Sequence, residues 1–284
     1  MEPVIPFVLA GLAVLLAWVA PGLMARQRRL RRSPRAALVA WQAVSVGGIL
    51  AALSAAPAAL PLLLDGDDPR AHAELVVPAL LVSAAVLARL LWSGHSVGTR
   101  LRRVRAEHRQ LVDIIATHDR DRVRVLQHPT PTAYCIPGRQ SRVVLSQGVL
   151  DALPGDQLDA VVAHEEAHLA GRHALLLEFF AVVHEAVPRP LRSDRALAEV
   201  RLLVEALADR AAVRRSGEVA TARALLTLAG SRAPEAALGA GTTAPVRLRL
   251  LADGPPPASL SALAYTYAVL AATLPLLLLA TAWT

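Results

Sequence analysis

The chain has 284 residues, 54% of them hydrophobic, with a formal net charge of +7 and a single cysteine. Its length admits one or two domains, and with aromatics at only 4% the apolar mass is Ala, Leu and Val, which points to helices and membrane and away from a β-sandwich. Lone Cys135 excludes an internal disulfide and a CxxC zinc site, and the arginines flank apolar segments instead of forming one face with interleaved aromatics, which argues against direct nucleic-acid binding.

Pro6 to Leu23 is an uncharged apolar run long enough to span a bilayer. The basic stretch Ala25 to Arg35 follows it, whereas a signal peptide carries its positive charge first, so the run reads as a retained membrane helix. Ala36 to Leu64 is a second apolar segment, and 65–70 is an acidic link. Leu75 to Trp92 is a third, interrupted only by Arg89, whose long stem is expected to snorkel to the interface. The basic flanks at 25–35 and 100–105 set the orientation: N-terminus and acidic link outside, residues from about 95 to 255 in the cytoplasm.

Residues 98–117 read as an amphipathic helix. Short strands are expected at Val123–Leu126, Ala133–Ile136 and Arg142–Ser146, the last two a hairpin turned by Pro137-Gly138. Ser146 or Gln147 caps a short helix ending at Leu153, and Asp156 caps the helix after Pro154-Gly155. Ala174 to Val183 is too short to span and reads as a partly buried or membrane-dipping helix. Arg192 to Arg215 reads as a long helix, Gly239 to Ala244 as a link, and Asp253 to Pro257 as a breaker before a fourth spanning helix at 260–283. The expected fold is a mainly α integral membrane protein: three membrane helices in 1–95, an α+β cytoplasmic domain in 96–256 and a last membrane helix in 257–284.

The chemistry concentrates in His164-Glu165-Glu166-Ala167-His168. On a helix His164 and His168 lie one above the other, so both imidazoles can reach one metal ion, and Glu165 is near enough to act on a water there. The preceding apolar run, Leu158 to Ala163, half-buries these groups, and buried charge needs a partner or a metal. Catalytic zinc takes three protein ligands. Four residues compete for the third place: His173, one residue short of the H-E-x-x-H-x-x-G-x-x-H spacing; His184; Glu199; and Glu205. Glu205 alone has a carboxylate, Asp209, one turn below it that could hold a ligand imidazole by its far nitrogen. Ordinary solvated charges beside Arg201 and Arg210 are the alternative for that pair.

The stretch from Ala133 to Ser216 resembles the BlaR/MecR-type membrane zinc peptidases, above all their short actinobacterial members, and more distantly the HtpX-type membrane proteases. The likeness rests on Ala133-Tyr134, Pro137-Gly138, Arg142 to Leu150, Ala163 to His173 and Glu205 to Arg210. It implies a zincin-like (gluzincin) domain in which His164, His168 and Glu205 bind Zn2+, Glu165 is the catalytic base and Asp209 supports a ligand. It implies that the edge strand Arg142, Val143, Val144, Leu145, Ser146 receives a peptide by strand addition. Ala244-Pro245 and Arg247 stand where HtpX-type relatives carry a His-Pro and an Arg, which suggests a transition-state role for Arg247. His173 occupies a place where many relatives have an Asp. The implied activity is zinc-dependent cleavage of cytoplasmic or membrane-proximal proteins, a winged-helix transcriptional repressor among them. The alternatives are an HtpX-type quality-control protease and a non-catalytic membrane scaffold. The retained base Glu165 favours an enzyme.

Overall fold

The computed structural model describes residues 4–64, 73–118, 122–230, 240–254 and 256–284. The acidic link expected at 65–70 lies outside them. In chain order come α1 (Ile5–Arg26), α2 (Pro34–Ala59) and α3 (Ala73–Ile115). Four strands follow: β1 (Thr117–His118), β2 (Val123–Leu126), β3 (Ala133–Ile136) and β4 (Arg142–Ser146). Then come α4 (Gln147–Ala152), α5 (Gly155–Ala170), α6 (His173–Ala186), α7 (Asp194–Gly230), α8 (Ala240–Ala252) and α9 (Ala258–Thr281). Among the described residues, α1, α2, α3 and α9 are long and apolar enough to cross a membrane.

The chain divides into two compact units. The first comprises Met1–Val97, Phe179–Val200 and Pro256–Thr284. In it α2 packs against both α1 and α9. Glycine makes the second contact: a Cβ on Gly47 would stand 2.1 Å from the Ala271 carbonyl oxygen, so only glycine lets these two backbones come so close. Within α1, the turn at Leu15–Val19 widens to a π turn just ahead of Pro21, whose ring has no N–H for the preceding turn and crowds its carbonyl. Arg89 is exposed. Its Nε donates to the Ala186 carbonyl at 2.6 Å, and Arg192 Nε donates to Val187 at 2.8 Å, so two guanidiniums satisfy the last carbonyls of α6. Glu199 accepts a two-pronged bond from Arg31, at 2.7 and 2.6 Å.

The second unit comprises Gly98–Glu178 and Arg201–Pro255. Its sheet has the order β1-β2-β4-β3. β2 runs parallel to β4, with Val123 opposite Val143, and β3 runs antiparallel to β4, with Ala133 opposite Leu145. Val143 and Leu145 face a core with Val149, Leu153, Ala160, Val161, Ala163, Ala212 and Ala224, which is the packing of α4, α5 and α7 on one side. Val144 faces the other way, against Val112 of α3 and Ile136. β4 is therefore not the edge strand expected for Arg142, Val143, Val144, Leu145 and Ser146; it is paired on both sides and buried on both faces. A strand in that place needs the unbroken apolar run Val143-Val144-Leu145, where a half-exposed edge would alternate. Among the described residues, the edge next to it is β3.

Other boundaries also moved. The apolar segment ending at Trp92 and the amphipathic segment from 98 form the single helix α3. The helix expected at 192–215 ends close to where it was expected: Gly217, at φ 82°, kinks the segment Asp194–Gly230, and a second helix follows it. The link expected at Gly239–Ala244 belongs from Ala240 onward to α8. Ser146 Oγ accepts from Val149 N at the start of α4, but α5 has Pro154 as its N-cap, and Asp156 sits inside the first turn, where a carboxylate meets the positive end of the helix.

Candidate metal centre

The spacing of α5 stacks His164 over His168, and their Nε2 atoms stand 3.1 Å apart. α7 brings Glu205 over both: its Oε2 is 3.4 Å from His164 Nε2 and its Oε1 is 3.5 Å from His168 Nε2. One ligand atom from each of the three residues lies within 4.8 Å of the other two. Two imidazole nitrogens and one carboxylate oxygen form a set suited to zinc and leave a coordination position over.

Each imidazole is held from behind. One turn beyond Glu205, Asp209 sets its Oδ1 3.0 Å from His164 Nδ1. His173 sets its Nδ1 3.1 Å from His168 Nδ1. With Nε2 bare for a metal, His164 and His168 both carry their hydrogen on Nδ1, and Asp209 and His173 are the acceptors. His173 reaches this place because α5 ends at Gly171: a Cβ there would come within 2.5 Å of His173 Nε2. Arg172 then takes φ 48° to turn the chain into α6. From α8, buried Arg247 donates through Nε to Asp209 at 2.7 Å and sets Nη1 3.0 Å from Glu205 Oε2. Its guanidinium is committed to the two carboxylates, so this geometry makes it a clamp on them and gives no direct support to the transition-state role.

The charges are interlocked. Burial works against ionised Glu205, yet the hydrogen bond and charge of His164, with Arg247 and His168, hold its carboxyl down to about 2. Burial likewise opposes charged His164, but Asp209 and Glu205 pull it up to about 10. Burial dominates at His168, which falls to about 4, and lowers His173. Asp209 is lowered against its burial by the Arg247 and His164 hydrogen bonds. Burial raises Glu165, and the charge of Glu205 adds to it. Cys135 lies against Glu165: burial and then the Glu165 charge push the thiol up, so it is a neutral donor to that carboxylate.

The structure thus brings together His164, Glu165, His168, Glu205, Asp209 and Arg247. It does not bring in Glu199, taken by Arg31, or His184, 3.3 Å from Asp194. Sequence reasoning missed His173 as a support and Cys135 as a neighbour of the base. The alternation in β3 held a signal for the second: Cys135 pairs with Val143, whose side chain faces α5.

Residues 99–259 match the family Peptidase family M48. The chain belongs to peptidase family M48. That segment contains every residue of the candidate centre named above, from Cys135 to Arg247. Two relatives, both named Protease HtpX homolog, from Trichormus variabilis and from a Nostoc species, are each 32% identical over 71 residues, which is 21% of this chain and 25% of the relative. The M48 chain spans about a quarter of the length of these curated relatives. No solved structure matches it.

Proposed function

We propose that this chain is an integral-membrane zinc endopeptidase of the gluzincin kind, with His164, His168 and Glu205 as ligands and Glu165 as the base. The observation that carries the reading is the convergence of the three donor groups beside a half-buried carboxylate that belongs to none of them. Zinc, when bound, would supply Lewis acidity, acidifying water and polarising a scissile carbonyl. Asp209 and His173 orient the two imidazoles, and Arg247 holds Glu205 and Asp209 in register. The Glu165 carboxylate takes a proton from water and returns it to the departing amine nitrogen. Its raised pKa suits it to both steps. The peptide adds to β3, not β4: β3 has one strand partner among the described residues, and its Cys135 side chain lies beside Glu165.

The substrate is a cytoplasmic or membrane-proximal protein, and the site faces the cytoplasm, in keeping with the basic segments 25–35 and 100–105. The family match and the names of the relatives favour the HtpX-type reading. A repressor substrate rests only on the BlaR/MecR-type likeness of residues 133–216. The test is full-length protein purified in detergent, assayed for metal content and for cleavage of casein, wild type against Glu165→Gln. Stoichiometric zinc in both and cleavage only by wild type is expected. A metal-free wild type, or a Glu165→Gln variant that cleaves equally well, would overturn the reading.

A further inference from the structure

A cavity of about 460 Å³ opens within the first unit, where α1 ends. It shares no residue with the metal centre. One wall is Trp18, Gly22, Arg26, Arg28 and Arg31; the other carries Arg192 and Ser193, from the segment just before α7, and Arg195, from the first turn of α7. Five guanidiniums therefore meet in one hollow, drawn from segments over 150 residues apart in sequence. Two are neutralised: Arg31 by Glu199 at 2.6 Å, and Arg192 by Glu185 at 3.3 Å. Arg26, Arg28 and Arg195 are exposed and have no ion-pair partner among the described residues. Three uncompensated positive charges around a hollow repel one another unless an anion sits among them.

The topology rule accounts for basic residues after a membrane helix, but it requires no cavity and no second basic segment. The composition of the walls indicates the ligand. Trp18 and Gly22 belong to the apolar span Ile5–Arg26, and the arginines begin where that span ends. A ligand filling this hollow has an anionic head at the end of an apolar body. Guanidinium forks match phosphate oxygens in pairs, and a tryptophan at the head-group level is where such a residue is favoured. We propose that this cavity binds the phosphate of an anionic phospholipid headgroup, with Arg26, Arg28 and Arg195 as its ligands and Ser193 as a hydroxyl donor.

The test uses the full chain in a neutral detergent and counts bound lipid by native mass spectrometry as phosphatidylglycerol or phosphatidylcholine is added. Wild type is expected to retain one phosphatidylglycerol well above the phosphatidylcholine background. Arg28→Gln with Arg195→Gln is expected to weaken that binding about tenfold or more. Arg29→Gln with Arg35→Gln removes the same charge from the same basic stretch outside the cavity and is expected to leave binding within about twofold, since screened surface attraction is all it changes. Equal loss in both double variants would mean diffuse attraction and overturn the site. So would equal binding of the two lipids. Displacement of the bound lipid by inorganic phosphate at matched concentration would assign the arginines to free phosphate and overturn the lipid.

Discussion

At the scale of single residues the distinctive one is His173. A metal-binding imidazole is usually steadied by a carboxylate or carbonyl on its far nitrogen, as His164 is by Asp209. His168 is steadied by another imidazole. A neutral imidazole can accept at Nδ1 only with its hydrogen on Nε2, so this support depends on one tautomer where a carboxylate would accept in any state. His173→Ala is expected to lower zinc affinity ~10–100-fold, read by competition with a chelating dye, while His173→Asp retains most of it. An alanine variant with wild-type affinity would reduce His173 to filler. Cys135 gives a second residue-scale expectation. A neutral thiol donating to Glu165 favours the ionised carboxylate, so Cys135→Ala is expected to move the acidic limb of the casein-cleavage profile to higher pH. A shift to lower pH, or none, would remove the thiol from the mechanism.

At the scale of elements the centre is a meeting of α5, α7 and α8, and much of it was legible in the chain. The one-turn spacings of His164 with His168 and of Glu205 with Asp209 need only the helical repeat to be read. The hairpin β3–β4 was visible from Pro137-Gly138 between two apolar runs. What local pattern could not supply was the partner across the sheet: β4 becomes central only because β2 pairs with it in parallel, a contact that leaves no turn signal. α8 was hidden for another reason. Gly, Thr and Pro at 241–245 are poor helix formers, and the helix is held instead by the buried pairing of Arg247 with Asp209. Removing one partner strands a buried charge, so Arg247→Met is expected to cost about 3–5 kcal/mol, and Arg247→Met with Asp209→Asn to cost less than the single change. Thermal melts of the detergent-purified variants measure both, and additive losses would refute the coupling. Gly171→Ala should act at the other end of the site. The added methyl meets His173, so a loss of about 1–3 kcal/mol in stability with weakened zinc binding is expected.

At the scale of the whole molecule, the membrane helices and the metal centre make separable demands. The four helices long and apolar enough to cross a membrane were legible from hydropathy, because a bilayer sets a length that no soluble helix has to meet. The centre is different: in the second unit three donor groups from α5 and α7 converge, so on the proposed reading metal binding and the stability of that unit are linked. A ligand bound only by the folded form, at a thousand times its dissociation constant, adds about 4 kcal/mol. Chelation is therefore expected to lower the melting temperature of the wild type, and readdition of zinc to restore it. The ligands and the base should then part company. His168→Ala is expected to melt near the chelated wild type and to ignore zinc. Glu165→Gln, which removes no ligand, should keep the full zinc-dependent rise while losing cleavage. If Glu165→Gln lost the rise, Glu165 would be a ligand; if the wild type did not respond to chelation, the three convergent donors would be holding one another and no metal.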